Sequence, residues 1–166
     1  MSVLAPAAAM AIHDSLEEEV LIALVRAAWL AAERSTAVTV AAGLSPSQYN
    51  VLRILRAAGR SGLSCNEIGE LMVTRDSDLT RLISGLERER LVVRQIDAKD
   101  RRRSINRITP AGRALLSRLD HDVAEAAKQT MGHLGRNRLN ALLKLLVAFA
   151  PPPPTATHTT TLSELQ

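Results

Sequence analysis

Apolar residues recur at helical spacing over most of this chain and give way to β-prone runs in one short region. Between residues 14 and 41, Leu16, Val20, Leu24, Ala27 and Ala31 make one stripe, and Leu21, Val25 and Ala28 widen it. That spacing predicts a long helix. A face so wide and so small in side-chain size suits a helix covered on more than one side, either in a core or at a subunit interface. Gly43 is the expected stop. Ser45-Pro46 opens a second helix, with Ser45 as N-cap, Pro46 in the first turn and Gln48 completing a capping box. Tyr49, Leu52, Ile54 and Leu55 are its apolar positions, and it ends by Gly59. Ser64 and Glu67 repeat the capping box for a short helix in which Ile68, Leu71 and Met72 face inward. After a break at Val73-Thr74, a helix over 75–89 carries the stripe Leu79, Leu82, Ile83, Leu86.

Residues 91–96 and 104–108 read as two short strands. The turn between them carries Lys99, Arg101, Arg102 and Arg103, with Asp97 and Asp100 beside them. Thr109-Pro110 caps and opens a helix to about residue 130, and a last helix over 134–149 carries Leu139, Leu142, Leu143, Leu146 and Phe149. Pro151 and the prolines after it stop that helix. The chain is therefore mainly α, with a small antiparallel hairpin after a pair of short helices. That order describes a winged helix-turn-helix. The division it predicts is an arm over 1–13, a winged-helix domain over 14–150 and a Pro/Thr-rich disordered tail over 151–166. Within the domain, 45–109 forms the lobe, and 14–41 and 110–150 form outer helices.

Composition narrows the function. Aromatic residues are 2% of the 166, so Leu, Ile, Val and Ala must fill the core, as helices do well. A net charge of +4 favours a polyanionic partner. Cys65 is the single cysteine, so no internal disulfide is expected, which fits the cytoplasm. The apolar stretch over 3–12 has no basic residue before it and acidic ones after it, unlike a secretion signal. No uncharged apolar run approaches the roughly 18 residues of a membrane span. His13, His121, His133 and His158 lack metal-ligand spacing, and Asp120-His121-Asp122 points to different sides of a helix, as a solvated turn would. No catalytic triad, phosphate loop or zinc cluster is recognisable, so neither an enzyme nor a cofactor is expected.

The candidate chemistry is double-stranded DNA recognition. On the helix over 75–89, Thr74, Arg75, Ser77, Asp78, Thr80 and Arg81 occupy the first exposed turns and can meet base edges and phosphates. Lys99, Asp100, Arg101, Arg102 and Arg103 form a basic wing tip, and arginines on a rigid hairpin can reach a backbone or a narrow minor groove. The plainer reading of the wing is a solvated charge run. Trp29 and Tyr49 could line a ligand pocket or simply pack the core. Cys65, in the first turn of its helix, could sense oxidants, but an ordinary small helix residue is the simpler account.

Three stretches together resemble the multiple-antibiotic-resistance regulator (MarR) family. They are Asp100-Arg101-Arg102 followed by Ile108-Thr109 and Gly112, Asp78-Leu79-Thr80-Arg81-Leu82 through Leu86-Glu87, and the run from Leu44 to Leu52. The resemblance implies a homodimer built on the first and last two helices, with each winged lobe facing DNA. It also implies a pseudo-palindromic operator, repression, and release by a small phenolic or anionic effector. By position, Asp100 would hold the wing loop and Arg102 would reach the minor groove, while Thr80 and Arg81 fall on the recognition helix. The chain departs from the family at Arg90, where glycine is usual. An arginine there in a left-handed backbone would cost about 1 kcal/mol. Ser104 and Asn106 replace apolar strand residues, which predicts a looser wing. Asp76 and Asp78 put negative charge near the DNA face, which leaves room for an alternative, a dimeric winged-helix protein-interaction module.

Overall fold

Helix starts in this protein are made by side chains that accept the backbone N–H groups a first turn leaves unpaired. The computed structural model describes residues 15–73, 78–96 and 103–150. Ser15 accepts Glu18 N–H and starts α1 (Leu16–Ala41). Ser45 and Gln48 form a reciprocal capping box at α2 (Pro46–Ala58), and Ser64 and Glu67 form another at α3 (Cys65–Leu71). Asp78 accepts Arg81 N–H at the start of α4 (Leu79–Arg88). Thr109 accepts Gly112 N–H at α5 (Pro110–Met131), with Pro110 in its first turn. A 3₁₀ turn, Gly132–Leu134, leads into α6 (Gly135–Phe149). The hairpin is β1 (Val92–Ile96) and β2 (Ser104–Ile108). The helix expected over 75–89 is therefore observed over Leu79–Arg88. Asp78 is its cap rather than a residue of its first turn, because a carboxylate that bonds the backbone N–H three residues on holds its own backbone outside the helix.

The core lies inside the winged lobe and against the first half of α5. Val51, Leu52 and Leu55 of α2, Ile68 of α3, Ile83 and Leu86 of α4, Val92 and Ile108 of the hairpin, and Leu116 of α5 are all buried. Each such side chain contributes on the order of 1.5–3 kcal/mol. Among the described residues, α1 and α6 supply no buried hydrophobic side chain. No helix among the described residues is long and apolar enough to cross a membrane.

The hairpin is antiparallel, with Val92 opposite Ile108, Arg94 opposite Asn106 and Ile96 opposite Ser104. Its inner strand does not end at β1. Leu63, in the turn before α3, bridges to Asn106: Leu63 N–H donates to Asn106 O at 3.0 Å and Asn106 N–H to Leu63 O at 2.7 Å. The Asn106 side-chain amide adds a third bond to Leu63 O at 3.1 Å and is fully buried. Asn106, expected to loosen the wing, ties it to the turn before α3 through its Nδ2, while its Oδ1 is buried without a hydrogen bond. Gly62 permits this approach. Its φ is +68°, and a Cβ there would fall 2.5 Å from Asn106 O. Arg107 reinforces the joint, with Nε donating to Arg60 O at 2.7 Å and a second nitrogen to Gln95 Oε1 at 2.6 Å.

Helix α4 ends in a Schellman turn. Arg90 N–H bonds Glu87 O and Leu91 N–H bonds Leu86 O, both at 2.9 Å, with Arg90 at φ 59°. Arginine there is the strained choice anticipated from its sequence position. Arg90→Gly should raise stability by about 1 kcal/mol in urea denaturation. An unchanged or lower midpoint would show that the backbone at this site carries no penalty.

Candidate nucleic-acid interface

The DNA-facing candidates divide by whether the structure describes them. Thr74, Arg75 and Ser77, with Asp76, lie outside the described residues, as do Lys99, Asp100, Arg101 and Arg102. Asp78, Thr80, Arg81 and Arg103 are placed. On α4, Leu79 and Leu82 are half-buried and Ile83 and Leu86 buried, which turns the opposite side outward. That outward side presents Thr80 and Arg81, both exposed. The Arg81 guanidinium lies 3.7 Å from the Asp78 carboxylate, an open pair worth little energy but enough to bias the arginine toward the helix start.

Arg103 sits at the foot of the wing, immediately before β2, and its guanidinium reaches Glu67 Oε2 of α3 at 3.4 Å. Glu67 was legible from sequence as a capping residue. Its second contact, with the wing, was not, because the residues are 36 apart in sequence. The same carboxylate oxygen accepts the Ser64 hydroxyl at 2.6 Å and Ser64 N–H at 2.8 Å. These bonds from Ser64, hydroxyl before backbone, hold the Glu67 carboxyl below the ordinary glutamate range. Arg103 adds to the effect, and partial burial opposes it. Cys65 follows Ser64 in chain order, is half-buried, and receives the Asn106 amide at 3.7 Å from its sulfur.

A second ion pair ties the lobe to the outer helices. Arg56 of α2 grips Asp120 of α5 with two hydrogen bonds, 2.8 and 2.9 Å. Residues 120–122 are all exposed, as a solvated turn would be, and Asp120 in addition holds this surface pair. The Arg56 hydrogen bond is the main reason its carboxyl lies below the usual aspartate range. Among the described residues, no group of three or more His, Cys, Asp or Glu side chains could hold a metal ion.

Trp29 and Tyr49 are not brought together. Tyr49 lines a cavity of about 300 Å³ between the second half of α1 and the start of α2, with Thr36, Thr39, Asn50, Arg53 and Val73 among its walls. The Arg53 guanidinium stands 5.8 Å from the centre of the Tyr49 ring, a cation–π arrangement. Trp29 lies on the outer face of α1, 68% exposed, beside Val25, Arg26 and Leu30. It therefore neither shares the Tyr49 cavity nor packs the core of this chain. One helical stripe cannot reveal this, since it does not say which part of α1 the start of α2 covers.

The family model for MarR regulators matches residues 42–103. A candidate transcriptional regulatory protein for the hcr operon of Thauera aromatica is 29% identical over 137 residues, 81% of each chain. A MarR transcription factor of Planctomyces limnophilus is 30% identical in a solved structure, with TM-score 0.64, covering 82% of this chain and 98% of that one. CouR of Rhodococcus jostii RHA1, solved with p-coumaroyl-CoA, superimposes with TM-score 0.70 at 24% identity, covering 84% of this chain and 97% of that one.

The Glu67 joint predicts an acid response. Its folded carboxyl titrates below the ordinary value of about 4.3, so its contribution is present above that value and lost as pH falls through the lower folded one. Glu67→Gln keeps a capping acceptor but has no such titration. Wild type should lose more stability than Glu67→Gln between neutral pH and about pH 3.5, measured by urea denaturation. Equal losses would mean the carboxylate contributes nothing through its charge.

Proposed function

We propose, from the premise that this chain belongs to the MarR family and is a DNA-binding transcriptional regulator, that it acts as a homodimeric, effector-responsive repressor. The observation that carries this reading is the joint at Leu63 and Asn106, which locks a basic wing beside a helix whose outer side shows Thr80 and Arg81. A helix start entering the major groove and a wing over the flanking minor groove need that fixed spacing. The segment 74–81 would read base edges. Arg101, Arg102 and Arg103 would touch the minor groove and phosphates, and Lys99 and Asp100 would shape the tip.

The dimer reading rests on the outer helices. Leu16, Val20, Leu21 and Val25 on α1 and Leu143, Leu145 and Phe149 on α6 are each more than half exposed. An apolar surface of this extent on two neighbouring helices marks an interface. The proposed division of labour is therefore 14–41 with 110–150 for pairing and 45–109 for DNA, at work in the cytoplasm. Two lobes facing one side would read a pseudo-palindrome with half-sites about 10 base pairs apart.

The Tyr49–Arg53 cavity suits a small aromatic anion: a ring can stack on Tyr49 and a carboxylate or phenolate can meet Arg53. Occupancy would change the separation of the two lobes and release DNA. The alternative of a protein-interaction module leaned on Asp76 and Asp78. Asp78 is engaged as a helix cap and beside Arg81, so its charge is used inside the protein.

Fluorescence polarisation with promoter DNA from beside the protein's own gene tests the reading. Binding should weaken steeply with salt. Arg102→Ala should weaken it on all sequences and reduce the salt slope by about 1, whereas Arg81→Ala should relax sequence preference. Unchanged binding in both variants would defeat the proposed interface. In sedimentation equilibrium, wild type should run at twice the chain mass and Leu145→Glu with Phe149→Glu should shift toward monomer. A wild-type monomer would remove the dimer from the account.

A further inference from the structure

The Tyr49 cavity contains one side chain whose hydrogen bond leads out of it toward the DNA-reading segment. Asn50 lines the cavity from α2. Its Oδ1 accepts the backbone N–H of Val73 at 3.0 Å, across 23 residues of sequence. The backbone leaves α3 at Met72, which is extended at φ −68° and ψ 142°. The Val73 N–H is thus beyond the helical ladder and takes its partner from Asn50. Packing does not hold this backbone, because the Val73 side chain is 85% exposed. Val73 also lines the cavity, and the proposed reading segment starts at the next residue.

We propose that Asn50 is a positioning residue for DNA recognition, because its side chain holds the backbone amide that leads into the reading segment. The inference rests on the reading above that residues 74–81 face DNA. Asn50 reaches Val73 from α2, so the exit from α3 is tied to the helix packed beside it.

The test uses the full chain and needs no effector. Amide exchange at Val73 is followed by NMR, and DNA affinity by fluorescence polarisation, with thermal melts as a control. Asn50→Ala should speed Val73 exchange and weaken DNA binding by roughly 3- to 10-fold, the range of one neutral hydrogen bond, with little change in melting. Asn50→Asp keeps an acceptor at the same reach and should restore the protection of Val73. Val73→Pro removes the donor, suits the extended Met72 before it, and should reproduce the affinity loss without adding to that of Asn50→Ala.

Wild-type DNA affinity in Asn50→Ala, or unchanged Val73 exchange in that variant, would each overturn the proposal. Arg81→Ala separates the two levels. If it does not affect DNA binding, the DNA-facing reading fails; if it does while Asn50→Ala does not, only the role of Asn50 fails.

Discussion

The backbone pairing of Leu63 with Asn106 sets how the hairpin stands against the helix pair, and with it the spacing of the elements proposed to face DNA. It joins the turn before α3 to the inner strand of the wing. A buried backbone group left unpaired costs about 1–3 kcal/mol, so the two strands cannot slip by a residue without a large loss. The buried Asn106 amide binds the same Leu63 oxygen. An apolar residue in its place would fill the space but would not specify that carbonyl as its partner.

Around this joint, charge is used to connect rather than to decorate. Glu67 caps α3 and holds the foot of the wing through Arg103. Arg56 and Asp120 link α2 to α5, and so link the lobe to the helices proposed to pair in the dimer. Each ion pair is partly exposed, and its contribution to stability is small. Their consequence is geometric: each links side chains that are far apart along the chain. Asp78 acts within α4 instead, where a negative charge near the proposed DNA face is absorbed by the helix start.

The arrangement also separates a closed core from an open one. Buried hydrophobic side chains belong to the lobe, the hairpin and α5, whereas α1 and α6 leave theirs uncovered in a single chain. The cavity at Tyr49 lies where the closed and open regions meet, with walls from α1, α2 and the segment after α3. Its walls therefore come from the elements that set the lobe against the outer helices, which is what supports the proposed effector site.

Local physics made much of this legible in the amino-acid order. The caps at Ser45, Ser64 and Thr109, the apolar stripe of α4 and the two strands depend on neighbours within a few residues, and such patterns are written along the chain. The left-handed Arg90 was readable only through the family resemblance, as a residue standing where glycine is usual. Tertiary structure alone decided what depends on residues far apart in sequence. It tied Asn106 to Leu63, gave Asp120 a partner in Arg56, separated Trp29 from Tyr49 and joined Asn50 to Val73. A hydrophobic period says which side of an element is covered but not by what. A polar residue in a strand or helix takes its meaning from a partner that only the docked chain supplies.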